Sequence, residues 1–158
     1  MPPRNEQQER PIVTAVLTSG VARVAHGIRE SEDLIDEILA LDHDHWETIL
    51  SVGDVEFYQT KEEGPFPNHK MIVSVKPAPG YAALSYVDND DAKMIAANSY
   101  SSRRPLPDVY LVFSGATGAV FPRAAAIPIP DAREALHEWL QTRRRPTCIE
   151  WRPFDIHS

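Results

Sequence analysis

The 158-residue chain contains a single cysteine, Cys148, so no internal disulfide can form and stability must come from packing, which suits a reducing cytoplasm. One cysteine also excludes a structural zinc site of the multi-cysteine kind. There is no apolar run near the roughly 18 residues needed to span a bilayer, so no membrane association is expected. The opening "MPPRNEQQER" has no apolar core of the secretory type, and residues 1–10 are read as a disordered, solvated tail. No G-x-G-x-x-G or G-K-[ST] loop is present to cradle a phosphate. "SGATG" (114–118) lacks the G-x-S-x-G order that exposes a nucleophilic serine. No cofactor is expected.

What is there is a globular composition, 42% hydrophobic and 25% charged, in a length that normally makes one domain with a real core. The net charge of −7 is unevenly spread. Residues 30–98 carry 15 acidic groups against Lys61, Lys70, Lys76 and Lys93, a balance of −11, while the segments on either side are each +2. Such a surface repels nucleic acid and attracts basic partners. It also serves solubility alone.

The pattern predicts one α+β domain with a mostly antiparallel sheet of about 7–9 strands and two main helices, over about 31–42 and 130–141. "IVTAVLT" (12–18) and "VARVAHGI" (21–28) read as a hairpin around Ser19-Gly20. In the first helix Ser31 is the expected cap, and Leu34, Ile35, Ile38, Leu39 and Leu41 form the apolar stripe. "WETILSV" (46–52) and "VEFYQT" (55–60) read as strands joined through Gly53-Asp54. "KMIVSVK" (70–76) turns Met71, Val73 and Val75 to one face, "YAALSYV" (81–87) follows, and Asp88–Asp91 form a hairpin tip. "AKMIAANS" (92–99) fits a strand or a helix. "VYLVF" (109–113), "AVFP" (119–122) and "TCIEW" (147–151) are further predicted strands. Pro130 suits the first turn of the second helix, where Ala132, Ala135, Leu136, Trp139 and Leu140 keep helical spacing. Cys148, in an apolar strand, is expected to be buried and inert. Arg143-Arg144-Arg145 reads as charge complementing a helix C-terminus in preference to a phosphate site.

The stretch with the densest chemistry is "LDHDHWETI" (41–49). On a strand His43 and His45 would point the same way and could chelate a metal; on a helix they would diverge. A metal-dependent hydrolase built on this pair is therefore one reading, and a solvated helix end is the other. His45-Trp46-Glu47 matches the H-x-E of zinc deaminases, but "PTCIEW" (146–151) offers one cysteine where that chemistry needs two. With no reaction centre identified, the residues favour a non-enzymatic, protein-binding module. Its candidate contact surface runs through Asp42, Asp44, Trp46, Glu47, Asp54, Glu56, Glu62 and Glu63, with Asp88, Asp90 and Asp91 at the hairpin tip. Trp46 is either an exposed anchor among these acids or a core residue on the inner face of its strand.

The closing third, "AVFPRAAAIPIPDAREALHEWLQTRRRPTCIEW" (119–151), resembles the end of the first-numbered immunity protein family of bacterial polymorphic toxin systems. The matching steps are Phe121-Pro122, Ile127-Pro128, Ala132-Arg133-Glu134-Ala135-Leu136, Arg145-Pro146 and Trp151. Where the family usually has a glycine before the Arg-Pro step, this chain has Arg143-Arg144, a change at the helix C-cap. The resemblance implies a cytoplasmic α+β protein encoded beside its toxin, often a nucleic-acid deaminase, which it binds and blocks without catalysis. Trp139, Pro146 and Trp151 are then structural signature positions, with Trp151 packing the last strand against the second helix.

Overall fold

A computed structural model describes residues 11–54 and 69–153. Glu56, Glu62 and Glu63, the strand expected at 55–60 and the terminal tail lie outside the described residues. Ten strands and two main helices follow in the order β1 (Ile12–Val16), β2 (Ala22–His26), α1 (Gly27–Leu39), β3 (Thr48–Gly53), β4 (His69–Lys76), β5 (Tyr81–Asp88), β6 (Ala96–Tyr100), β7 (Val112–Ser114), β8 (Ala119–Val120), β9 (Ile127–Pro128), α2 (Ile129–Thr142) and β10 (Glu150–Pro153). An eight-stranded antiparallel sheet has the order β10-β6-β5-β4-β3-β1-β2, with β9 paired to β5. β7 and β8 make a separate hairpin.

Strand alternation sorts the side chains between two layers. Val13 and Ala15, Leu50 and Val52, Met71, Val73 and Val75, and Leu84 and Tyr86 face the helices and form the main core with Ile35, Ile38, Leu136 and Trp139. The opposite face of β4 and β5 is buried as well. Ile72 and Ala83 lie beneath Val109, Leu111, Phe121, Ala125 and Ala126 of the segment that follows β6. Much of that segment is irregular: of the strand expected at 109–113 only Val112 and Phe113 fall within β7, because Val109 and Leu111 serve as a packed lid on the sheet.

The first helix starts and ends earlier than the sequence predicts. Gly27, at φ 89°, turns the chain directly from β2 into α1, and the Glu30 carboxylate accepts from the His26 N–H at 3.2 Å. No side chain accepts from the first-turn N–H groups in the way expected of Ser31. Ser31 instead sits one turn before Leu34 and Ile35 on the buried stripe, fully enclosed. α2 keeps its predicted span within a residue at each end, with Pro130 in its first turn. Its C-cap, Arg143, has φ 55° and ψ 30°, the left-handed geometry usually taken by glycine. Arg143, the first of the Arg143-Arg144 pair, thus holds a conformation that disfavours a side chain, at a cost of about 1 kcal/mol. Across the helix pair Arg133 Nε meets Asp36 at 2.8 Å and His137 Nδ1 lies 3.2 Å from Glu32.

At the sheet's edge, β10 begins at Glu150 and not at Thr147. Cys148 is consequently exposed, contrary to the burial expected of it. Thr147 leaves the strand path because its N–H and hydroxyl both donate to Glu138, at 2.7 and 3.0 Å. Desolvation of the sulfur, and then the Glu138 carboxylate, push the Cys148 thiol up to about 11. Trp151 is half-buried against the main core with its ring 6.3 Å from Tyr86, and its Nε1 donates to the Pro146 carbonyl at 2.7 Å. Trp139 is fully buried and stacks edge-on to both Tyr86 and His69.

Candidate functional site

The stretch 41–47 is a loop between α1 and β3, pinned from inside by His43. The His43 N–H donates to the Val75 carbonyl at 2.9 Å, and its ring is completely buried. Nδ1 lies 2.9 Å from the Leu41 carbonyl, which can only accept, so Nδ1 carries the proton. Bare Nε2 then accepts from the Thr48 hydroxyl at 2.7 Å, and Thr48 Oγ1 in turn accepts from the Thr18 N–H at 3.1 Å. Burial lowers the His43 pKa, in keeping with a neutral ring whose two nitrogens are both matched.

His45 is exposed, so the two histidines do not converge. Among the described residues no three His, Cys, Asp or Glu side chains gather closely enough to hold a metal ion. His43 is a structural pin, a role that the alternation of His and Asp in the sequence does not reveal.

Outward from this pin the loop presents Asp42, Asp44, Trp46 and Glu47. Asp42 and Asp44 share one cation, Lys76 at the end of β4, with Asp42 3.6 Å away and Asp44 in direct hydrogen-bond contact. That contact lowers the Asp44 pKa and raises that of Lys76. Trp46 is 50% exposed, so it is not a core residue. Its carbonyl accepts from the Thr18 hydroxyl at 2.7 Å. The ring lies over Gly115, in the turn between β7 and β8, and the Gly115 N–H donates to Glu47 Oε1 at 3.1 Å. Beside the ring is a groove of about 310 Å³ lined by Val16, Leu17, Ser19, Ile49 and Glu47.

The other candidate acids among the described residues, Asp54, Asp88, Asp90 and Asp91, lie at the opposite end of the sheet. β4 runs from His69 beside Asp88 to Lys76 beside Tyr81, seven residue steps or about 23 Å. At the His69 end Asp54 pairs with Arg143 at 2.8 Å and Asp91 with Arg145 at 3.1 Å. Asp88, Asp90, Asp91 and Lys93 line an open cleft of about 810 Å³ together with His69 and Arg143–Arg145. The contact surface read from the sequence therefore divides into two ends. At one, Asp42 and Asp44 share a single lysine, and Glu47 lies beside an exposed tryptophan. At the other, among the described residues, Asp54, Asp88, Asp90 and Asp91 are balanced by Arg143, Arg144, Arg145 and Lys93.

Sequence reasoning missed Lys76, Thr18 and Gly115 as partners of this loop. Each is far away in the chain, Gly115 being 68 residues from Glu47, and no local pattern connects them.

Among the described residues no helix is long and apolar enough to cross a membrane. No curated protein and no solved structure matches the chain. Residues 19–153, however, match the family described as immunity protein Imm1. The match extends the likeness of the closing third across nearly the whole fold, and the chain belongs to the Imm1 family of immunity proteins.

Proposed function

We propose that this protein binds and neutralises a cognate toxin domain, encoded by the adjacent gene, in the cytoplasm of the producing cell, and that the toxin is a nucleic-acid deaminase whose basic substrate groove it covers. The observation that carries the reading, beside family membership, is the −11 balance of residues 30–98. An enzyme acting on nucleic acid presents cations to phosphates, and an inhibitor of the opposite sign is drawn to the same groove. Inhibition of this kind needs no catalytic group, only a complementary surface of about 1,200–2,000 Å² in total.

Calorimetry with the toxin domain at two salt concentrations tests this. Tight one-to-one binding that weakens with salt is the expected result. Tight binding indifferent to salt would overturn the electrostatic part, and absence of binding would overturn the reading.

A further inference from the structure

We infer that the toxin is gripped at the Trp46 end of the sheet, by a groove that takes an apolar toxin side chain flanked by lysine or arginine, and that Gly115 is the residue that positions the Trp46 ring. This rests on the immunity reading and adds where contact is made, and with what.

Three observations converge. Trp46 is half-exposed, yet its backbone is fastened by the Thr18 hydroxyl, and the preceding loop is fastened by the buried His43. A large aromatic held rigid before binding is what an interface anchor requires, because little side-chain entropy remains to be lost. Secondly, Val16, Leu17 and Ile49 line the groove beside the ring together with Glu47, and on the same loop Asp42 and Asp44 share the single cation Lys76. An apolar centre bordered by excess negative charge matches an apolar side chain beside a cation. The far end of the sheet lacks this match, since Arg143, Arg144, Arg145 and Lys93 line its cleft among the carboxylates. Thirdly, Gly115 has no room for a side chain. A Cβ there would lie 2.4 Å from Trp46 Cε3 and 2.5 Å from the His45 carbonyl oxygen. Gly115 is not among the glycines with positive φ, so alanine would change the contact and not the backbone's freedom.

The experiment measures toxin affinity, thermal melting and sedimentation for wild type, Trp46→Ala, Ser19→Arg, Gly115→Ala, the Trp46→Ala/Gly115→Ala double variant and Asp88→Asn/Asp90→Asn/Asp91→Asn. Trp46→Ala should weaken binding by about thirtyfold or more without lowering the melting temperature. Ser19→Arg, on the exposed turn at the rim, should weaken it with the fold intact. Gly115→Ala should weaken binding on its own and add little in the Trp46→Ala background, the non-additivity expected of residues acting through one contact. The triple variant, which lowers the overall charge but leaves the groove intact, should weaken binding far less than Trp46→Ala.

Wild-type binding with Trp46→Ala and Ser19→Arg unimpaired would overturn the groove assignment alone. So would a dimer that Trp46→Ala dissolves without touching toxin affinity, which would make the groove a contact between copies of this chain. Additive effects of Gly115→Ala and Trp46→Ala would overturn the positioning role. Failure of the wild type to bind would overturn the immunity reading and this inference with it.

Discussion

Thr48→Val tests whether the pin beneath the candidate interface is as consequential as its geometry implies. The substitution keeps the shape of a fully buried side chain and removes one hydroxyl. That hydroxyl has two duties, donating to His43 Nε2 at 2.7 Å and accepting from the Thr18 N–H at 3.1 Å. Without it, a buried imidazole nitrogen and a partly buried amide both lose their partner. Each unpaired group costs about 1–3 kcal/mol, and the amide, nearer to water, sits at the low end of that range. The added methyl returns about 0.8 kcal/mol. A net loss of about 1–3 kcal/mol remains, which in urea should lower the unfolding midpoint by about 1 M at an unchanged slope. Equilibrium unfolding at pH 7.5, followed by far-UV circular dichroism, reads this directly. A midpoint within about 0.3 M of the wild type would refute the tautomer assignment and the pin with it.

The same ring gives stability a pH dependence. The buried His43 and the half-buried His69 both have lowered pKa values, chiefly through desolvation. Their stabilising contribution is fully present above the unfolded imidazole value of about 6.5 and is lost as pH falls from there toward the folded values, because the unfolded chain takes up protons that the folded chain refuses. His43→Gln should reduce the loss of stability between pH 7 and 5, leaving the share due to His69; an identical acid slope would contradict the assignment. Trp139→Ala should cost about 3–5 kcal/mol, since the ring is fully buried, whereas the half-buried Trp151 should cost roughly 2 kcal/mol on the same change. Melting temperatures in the reverse order would show that the two rings have been given the wrong weights.

Local pattern was enough for the fold class and, among the described residues, for the kind of most elements though not all their bounds. Period-two alternation in "KMIVSVK" and helical spacing in "DAREALHEWL" are properties of neighbouring residues, and the sheet and α2 follow them. The closing motif was also legible, and the structure puts Arg143 of its Arg143-Arg144 step at the helix C-cap in the left-handed region. Where local rules competed, the prediction slipped. Ser31 is a good cap by type, but Gly27 and Glu30 complete the turn first, leaving Ser31 on the buried face. Cys148 reads as core by its neighbours, but Glu138 draws Thr147 away from the strand and leaves the cysteine outside.

Composition by itself determined the sign of the surface, because counting carboxylates and cations along the chain needs no fold. Only the tertiary structure decided how that charge is divided. Antiparallel strands carry residues close in sequence to opposite ends of the sheet, so Asp42 and Asp44 meet Lys76 while Asp54 meets Arg143. It also decided the parts played by the two histidines of "LDHDHWETI". A side chain's role depends on what the chain brings against it from a distance, here Thr48, Val75 and Gly115, and no spacing rule within the loop contains that information.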